Sequence, residues 1–399
     1  MKAGWQTKPL AELCEVFGDG DWIESKDQSA DGVRLIQTGN VGEGVFKDRG
    51  EKARYISEET FKRLRCTEIF EGDCLISRLP DPAGRSCILP DTGERMITAV
   101  DCTIVRFNAK QALPEFFNYY TQSRDYLATV DGETTGTTRK RISRSKLAAV
   151  LIPVPPLPEQ QRIVALLDEA FDGIATAKAN AEKNLQNARA IFESHLQSVF
   201  TQRGDGWQVK RISEIAKHSL GKMLDKAKNK GIFQPYLRNL NVRWFDFDLS
   251  DVLQMPFQPE EFAKYTAKKG DVLICEGGYP GRAAIWDGDE PIYFQKALHR
   301  VRFHETEHSK WFLYCLYAQD KSGALKRHFN GAGIQHFTGE ALAKFELPFP
   351  PLPELRQSVA KFEELGEQTK RFEAIYQQKL TTLDELKKSL LHRAFNGDL

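Results

Sequence analysis

Between Ile163 and Val199 the apolar residues of this chain return every three or four positions: Ile163, Leu167, Ala170, Ile174, Ala177, Ala181, Leu185, Ala188, Phe192 and Val199, with charged and amide side chains between them. A second stripe of the same period runs through Phe362, Leu365, Thr369, Phe372, Tyr376, Leu380, Leu383, Leu390 and Ala394. A three-four repeat sustained this long predicts a helix with one apolar seam, the pattern of a coiled coil. About forty residues at 1.5 Å each reach about 60 Å, longer than a small domain is wide, so each helix needs a partner along its length. The other helix supplies it, and the small Ala170, Ala177 and Ala181 are expected to face the large Phe372 and Tyr376.

Both helices begin after the same phrase. "PPLPEQQRIVALLDEAF" starts at Pro155 and "PPLPELRQSVAKFEELG" starts at Pro350, and in each the proline at the first turn (Pro158, Pro353) lacks only an N–H that would have no helical partner. Glu159 and Glu354 place negative charge at the positive end of the helix dipole.

Ahead of each phrase the pattern changes to short strands. "CLISRL", "CTIVRF", "DVLICEGG" and "PIYFQKALHRVRFH" set β-branched and aromatic residues between Gly, Asp and Pro punctuation. These segments repeat too. "GWQTKPLAEL" at Gly4 returns as "GWQVKRISEI" at Gly206, "EGDCLIS" returns as "KGDVLIC", and Gly84-Arg85 returns as Gly281-Arg282. The separation drifts from 202 to 195 residues, as a few small loop deletions would leave it. The predicted organisation is a tandem duplication in an α+β chain: a β-rich domain at 1–154, a helix at 155–203, a second β-rich domain at 204–349 and a second helix at 350–399.

Composition adds only limits. A chain of 399 residues with 41% hydrophobic and 28% charged residues is a folded protein of more than one domain. With 56 Lys plus Arg against 55 Asp plus Glu, global charge neither demands nor excludes a nucleic-acid partner. The seven cysteines form no C-x-x-C pair and read as reduced thiols, and no stretch reads as a signal core or membrane span, so a cytoplasmic location is expected.

The proline phrase, the duplicated order of domain then helix, and the ending "LKKSLLHRAFNGDL" resemble the specificity subunit of type I restriction-modification enzymes over essentially the whole chain. The resemblance implies two target-recognition domains that each read one half of a split double-stranded DNA target, joined by two antiparallel helices under a pseudo-two-fold axis. It implies no catalytic site in this chain, and docking of adenine-N6 methyltransferase subunits, two in number, near Pro158, Glu159, Gln160, Gln161, Pro353 and Glu354, with a restriction motor-nuclease subunit joining through them. S-adenosylmethionine, ATP and Mg then belong to the partner subunits, with no cofactor or metal on this chain and no membrane. The second copy departs from the family pattern, reading "PELRQ" against "PEQQR". Because the two domains differ strongly while the helices match, the target is expected to be asymmetric.

Within that resemblance, DNA contacts are expected on basic, glycine- and hydroxyl-rich loops. The segment Thr134 to Val150, "TTGTTRKRISRSKLAAV", offers Thr137, Thr138, Arg139, Lys140, Arg141 and Arg144 and contains no acid. Its counterpart, "KSGALKRHFNGAGIQHF", offers Lys326, Arg327, Gln335 and His336. Lys222 in the lysine-rich 217–230 stretch, and Arg85 and Arg282 in the loops after the "GD-LI" strands, complete the candidates.

Catalytic motifs are missing from the sequence: there is no N-P-P-[FY] or D-P-P-Y and no G-x-x-x-x-G-K-[ST]. The acidic stretch "GDGDWIESKD" reads as a surface turn, and His304 and His308 as surface residues. The competing function class is a duplicated-domain coiled-coil interaction protein with no DNA role.

Overall fold

The structure, a computed structural model, describes residues 4–136, 139–225 and 229–399. It divides into two compact units, 1–181 with 378–399, and 182–377. Each unit contains one β-rich head and parts of both long helices.

In the first head, strands Cys14–Asp19, Cys102–Phe107, Cys74–Ser77 and Ser86–Ile88 form one four-stranded antiparallel sheet in that order. Tyr55–Ile56, Val33–Ile36, Met96–Thr98 and Glu68–Ile69 form another, whose central pair is parallel. The second head repeats this. Ala216–Leu220, Leu298–Phe303, Val272–Cys275 and Ala283–Ile285 make the first sheet, and Leu253–Phe257, Ile232–Leu237, Ile292–Phe294 and Thr266–Ala267 the other, again with a parallel central pair. The central strands are almost wholly apolar because both faces are covered: all four residues of Cys74–Ser77 and of Val272–Cys275 are buried.

A two-stranded ribbon closes each head and delivers the chain to its helix, Gln6–Pro9 against Leu151–Val154 and Gln208–Arg211 against Glu346–Phe349. The helices follow at Leu157–Thr201 and Leu352–Asn396. Within each unit they run antiparallel. In the first, Ile163 and Leu167 share a core with Leu391, Ala394 and Phe395, and Lys178 pairs with Asp384. In the second, Phe192 and Leu196 share a core with Leu355, Val359 and Phe362, and Arg189 pairs with Glu373 at 2.5 Å.

All ten residues of the first predicted seam are buried or half-buried. The second seam needs one correction. Phe372 is 48% exposed, and it lines a groove with Tyr376, Asn184, Ala188 and Ile191. Ala177 lies one residue from the Lys178–Asp384 pair, and the first-helix residues that line the groove with Phe372 and Tyr376 are Asn184, Ala188 and Ile191 rather than the expected Ala170, Ala177 and Ala181. Antiparallel order pairs the start of one helix with the end of the other, which similarity of the two stripes does not reveal.

The seven cysteines are all free, and six are buried. Among the described residues no helix is long and apolar enough to cross a membrane.

His299 is expected to contribute most to the pH sensitivity of the second head, where burial also lowers the pKa of His218, His308 and His328. His299, 2% exposed, lies beside His218, and burial first, then the neighbouring His218, pushes its pKa from 6.5 down to about 4. The unfolded chain therefore takes up the proton first, and stability held above about pH 6.5 is lost as pH falls toward 4. Between pH 7 and pH 5 this amounts to about 2 kcal/mol. Urea titrations at both pH values should show His299→Leu losing about that much less than the parent chain; an equal loss in both proteins would remove His299 as the cause.

Candidate nucleic-acid interface

Residues 135–141 and 330–336 fold into hairpins of one construction. Thr135 and Arg141 exchange both backbone hydrogen bonds at 2.9 Å, and 195 positions later Asn330 and His336 do the same at 2.9 and 2.8 Å. The next residue, Ile142 or Phe337, is fully buried and anchors the hairpin by donating its N–H to a carbonyl of the loop after the central strand, Arg78 or Glu276. Then Ser143 or Thr338 caps a short helix, accepting from the N–H of Lys146 or Ala341. Each tip opens on a glycine in the left-handed region, Gly136 (φ 107°) and Gly331 (φ 110°). A Cβ at either would come within 2.6 or 2.2 Å of the carbonyl oxygen of Arg139 or Ile334, so these turns require glycine.

The sequence candidates lie on the surface in and beside these hairpins; Lys326 and Arg327 stand on the single turn Ala324–His328 ahead of the second one, whose residues 330–336 include no Lys or Arg. Arg139, Lys140, Arg141 and Arg144 are exposed, as are Lys326, Arg327, Gln335 and His336. Thr137 and Thr138 lie outside the described residues. The acid-free segment of the first head does not stay acid-free in three dimensions. Lys140 pairs with Asp131 at 2.9 Å, Arg141 with Asp101 at 2.9 Å, Lys146 with Glu133 at 3.1 Å, and Arg144 stands 3.8 Å from Asp19. These cations are 43–57% exposed, so the pairs are weak and exchangeable for phosphate. Arg139 has no ion pair among the described residues, and neither do Lys326 and Arg327; Arg327 donates to the His328 ring at 3.1 Å.

Three candidates face inward, contrary to expectation. Arg85 is 9% exposed and spends its guanidinium on four backbone carbonyls: Val41 and Leu79 at 2.7 Å, and Pro82 and Thr38 at 2.9 Å. Burial holds its pKa below the usual arginine value, and among the described residues no carboxylate pairs with it. Arg282 repeats one of these bonds, to Asn239 O at 2.9 Å, and stacks its guanidinium 5.2 Å from the Tyr279 ring. Both arginines clamp the loop after the central strand onto the turn at 38–40 or 239–241. Lys222, 7% exposed, pairs with Glu261 at 2.5 Å and donates to Pro256 O at 2.9 Å. Its charge is internally satisfied, while Lys226 and Lys228 of the same stretch lie outside the described residues.

The helix starts also divide. Pro158, Gln161, Pro353 and Glu354 are exposed, Glu159 is half-buried and paired with Arg162 at 2.8 Å, and Glu354 accepts from the Trp207 indole at 3.1 Å. Gln160 is fully buried and unavailable to a partner. Its amide donates to Gln111 O at 2.9 Å and Pro155 O at 2.8 Å and accepts from Leu113 N at 2.9 Å, fastening helix to head. The second copy has Leu355 there, 2% exposed in the apolar core, so the "PELRQ" departure exchanges a polar fastening for an apolar one.

The acidic stretch at 18–27 is likewise not a free surface turn. Asp27 is 7% exposed and accepts from Arg63 at 2.6 Å, and Asp19 pairs with the buried Arg78 at 3.2 Å. His304 lies in the loop before the helix that holds His308, so the two share no helix face. Sequence reading passed over Ile334, 76% exposed at the second tip; the signal was an isoleucine in an otherwise small and polar loop.

The chain matches the model of the family described as type I restriction modification DNA specificity domain twice, over residues 2–186 and 204–382. It is 26% identical over 276 residues, 65% of this chain and 66% of the relative, to the putative type I restriction enzyme specificity subunit S.HindORF215P of Haemophilus influenzae. To the EcoKI specificity subunit of Escherichia coli it is 21% identical over 307 residues, 71% of this chain and 65% of the relative. The matches thus span just under two thirds of the length of these curated relatives. A chain from a structure on complex assembly and conformational transition of the type I R-M system superposes with a TM-score of 0.81 at 18% identity, covering 100% of this chain and 99% of the other. The HsdS subunit from Thermoanaerobacter tengcongensis gives 0.63 at 18% identity, covering 100% and 98%, and both show the same fold. With two family matches placed on two heads of one construction, the chain belongs to the family of type I restriction modification DNA specificity domains.

Proposed function

We propose that this chain is the non-catalytic DNA sequence-recognition subunit of a type I restriction-modification enzyme. Each head reads one half of a bipartite, asymmetric target through its hairpin, and the helices set the spacing between the halves. Adenine-N6 methyltransferase subunits dock at the helix starts around Pro158, Gln161, Pro353 and Glu354, and the restriction subunit joins through them in the cytoplasm. S-adenosylmethionine, ATP and Mg act on those partners.

The observation that carries this reading is the pair of hairpins: one backbone register, repeated at 195 residues, presenting different exposed side chains. A repeated frame with differing tips suits a reader of two unlike half-sites, because phosphate contacts position the protein while base-edge contacts specify sequence. The residues left exposed at the first tip are basic, and the second head adds Lys326 and Arg327.

A single-molecule map of N6-methyladenine in the host, with and without the gene, tests it. One split, asymmetric motif should vanish on deletion. No change while the methyltransferase is expressed would overturn the proposal in favour of an interaction role. In vitro, binding should weaken steeply with salt, with a log–log slope of about −0.9 per phosphate contacted. Arg139→Ala should weaken binding by about tenfold and relax sequence preference in one half-site only; an unchanged affinity and preference would take the first tip off the interface.

A further inference from the structure

The two tips align residue for residue, so that Arg139, Lys140 and Arg141 stand where the second head has Ile334, Gln335 and His336. The frame is common and the chemistry is opposite. Where the first head offers a guanidinium, the second offers an isoleucine that is 76% exposed, the largest exposure among the large hydrophobic residues of the described part of the chain. Gly331, Ala332 and Gly333 precede it, so no bulky neighbour keeps the tip away from a surface. The tight turn at Gly331 and the paired hydrogen bonds of Asn330 and His336 hold the side chain outward from the buried Phe337.

An aliphatic side chain has one specific partner on the edges of the bases in the major groove, the 5-methyl group of thymine, whereas arginine and lysine prefer the O6 and N7 acceptors of guanine. The adjacent Gln335 carries the amide suited to adenine N6 and N7. We infer that Ile334 is a specificity-determining residue of the second head, seated against the methyl group of a thymine in the second half-site. This inference rests on the proposed DNA-reading function and goes beyond it by naming the chemical group read. The two half-sites then differ in kind, one recognised through charged donors and the other through an apolar contact.

The test uses the full chain and a duplex carrying the target mapped by methylation. Each thymine of the second half-site, on either strand, is replaced in turn by deoxyuridine, which removes the methyl group and leaves base pairing intact. One replacement should weaken binding by the parent chain about fourfold, the effect of exposing roughly one buried methyl group. Ile334→Ala should bind the thymine and deoxyuridine duplexes equally, and replacements in the first half-site should be indifferent to residue 334. Because Ile334 is exposed, its alanine variant should unfold with the parent, which the same preparations can verify.

A second half-site without thymine, a parent chain insensitive to every deoxyuridine, or a discrimination that persists in Ile334→Ala would each overturn the inference. Insertion of the side chain as a wedge between bases belongs to these outcomes, since it would not sense the methyl group. Failure of the DNA reading itself has a different signature: the parent chain would not bind even the all-thymine duplex at low salt.

Discussion

Phe362→Ala is expected to lower the unfolding free energy by about 4 kcal/mol, the largest effect of any single substitution considered for this chain. Phe362 is fully buried on the second long helix. Its ring lies 5.0 Å from Tyr314 and 6.0 Å from Trp311, both on the Glu307–Lys321 helix of the head, and 5.9 Å from Phe200 and 5.8 Å from His195 on the first long helix. Truncation opens a cavity bounded by three separate elements, and none can move in to fill it without leaving the other two. Collapse is therefore incomplete and the cavity cost stays high. Phe372→Ala is the comparison. Phe372 belongs to the same apolar stripe in the sequence but is 48% exposed, so its loss should change stability by no more than about 0.5 kcal/mol. Urea unfolding followed by tryptophan emission separates the two cases, and a Phe362→Ala loss as small as that of Phe372→Ala would refute the account of this core.

Arg85→Met should be nearly as damaging, at about 4 kcal/mol, although among the described residues its guanidinium hydrogen-bonds only backbone carbonyls. Methionine fills part of the space yet leaves four carbonyls, those of Thr38, Val41, Leu79 and Pro82, without the donors that the guanidinium gave them. Each buried acceptor left so costs about 1–3 kcal/mol, less what local relaxation recovers. The matched change Arg282→Met removes one such bond, to Asn239 O, and should cost about 1–2 kcal/mol. Amide exchange reads this locally. The Asn40 N–H, held by Gln37 O at 2.8 Å, should exchange about a thousandfold faster in Arg85→Met, whereas the Asn241 N–H, held by Arg238 O at 2.9 Å, should gain about tenfold in Arg282→Met. Equal acceleration in both heads would show that the clamp does not depend on the number of carbonyls engaged.

The pair Arg85 and Arg282 also shows where sequence reading loses its grip on the site. A Gly-Arg pair in a loop after a strand, repeated in both copies of a chain that resembles a DNA-binding family, has the composition of a phosphate contact. Whether such an arginine points to solvent or to carbonyls is decided by the turn at 38–40, more than forty residues away in sequence. The hairpin tips are the contrary case. Their basic and amide residues were legible because a glycine-rich, acid-free segment between a strand-rich domain and a proline phrase has few ways to be buried, and the structure places Arg139 and Gln335 on the surface.

By itself the sequence determined the duplication, the α+β composition, the places where strand character gives way to helix, and the apolar face of the first helix. These are local properties: a period of three and four, a proline at the first turn and repeated Gly and Asp punctuation act within a few residues of themselves. Tertiary structure alone decided the register, within the antiparallel order the resemblance implied, that buries Phe362 and exposes Phe372, the burial of Gln160 and its apolar substitute Leu355, and the carboxylates of Asp19 and Asp101 that meet the basic hairpin. It also decided that Ile334 stands clear of every core. Each of these depends on partners brought together from far along the chain, and no local pattern carries that information.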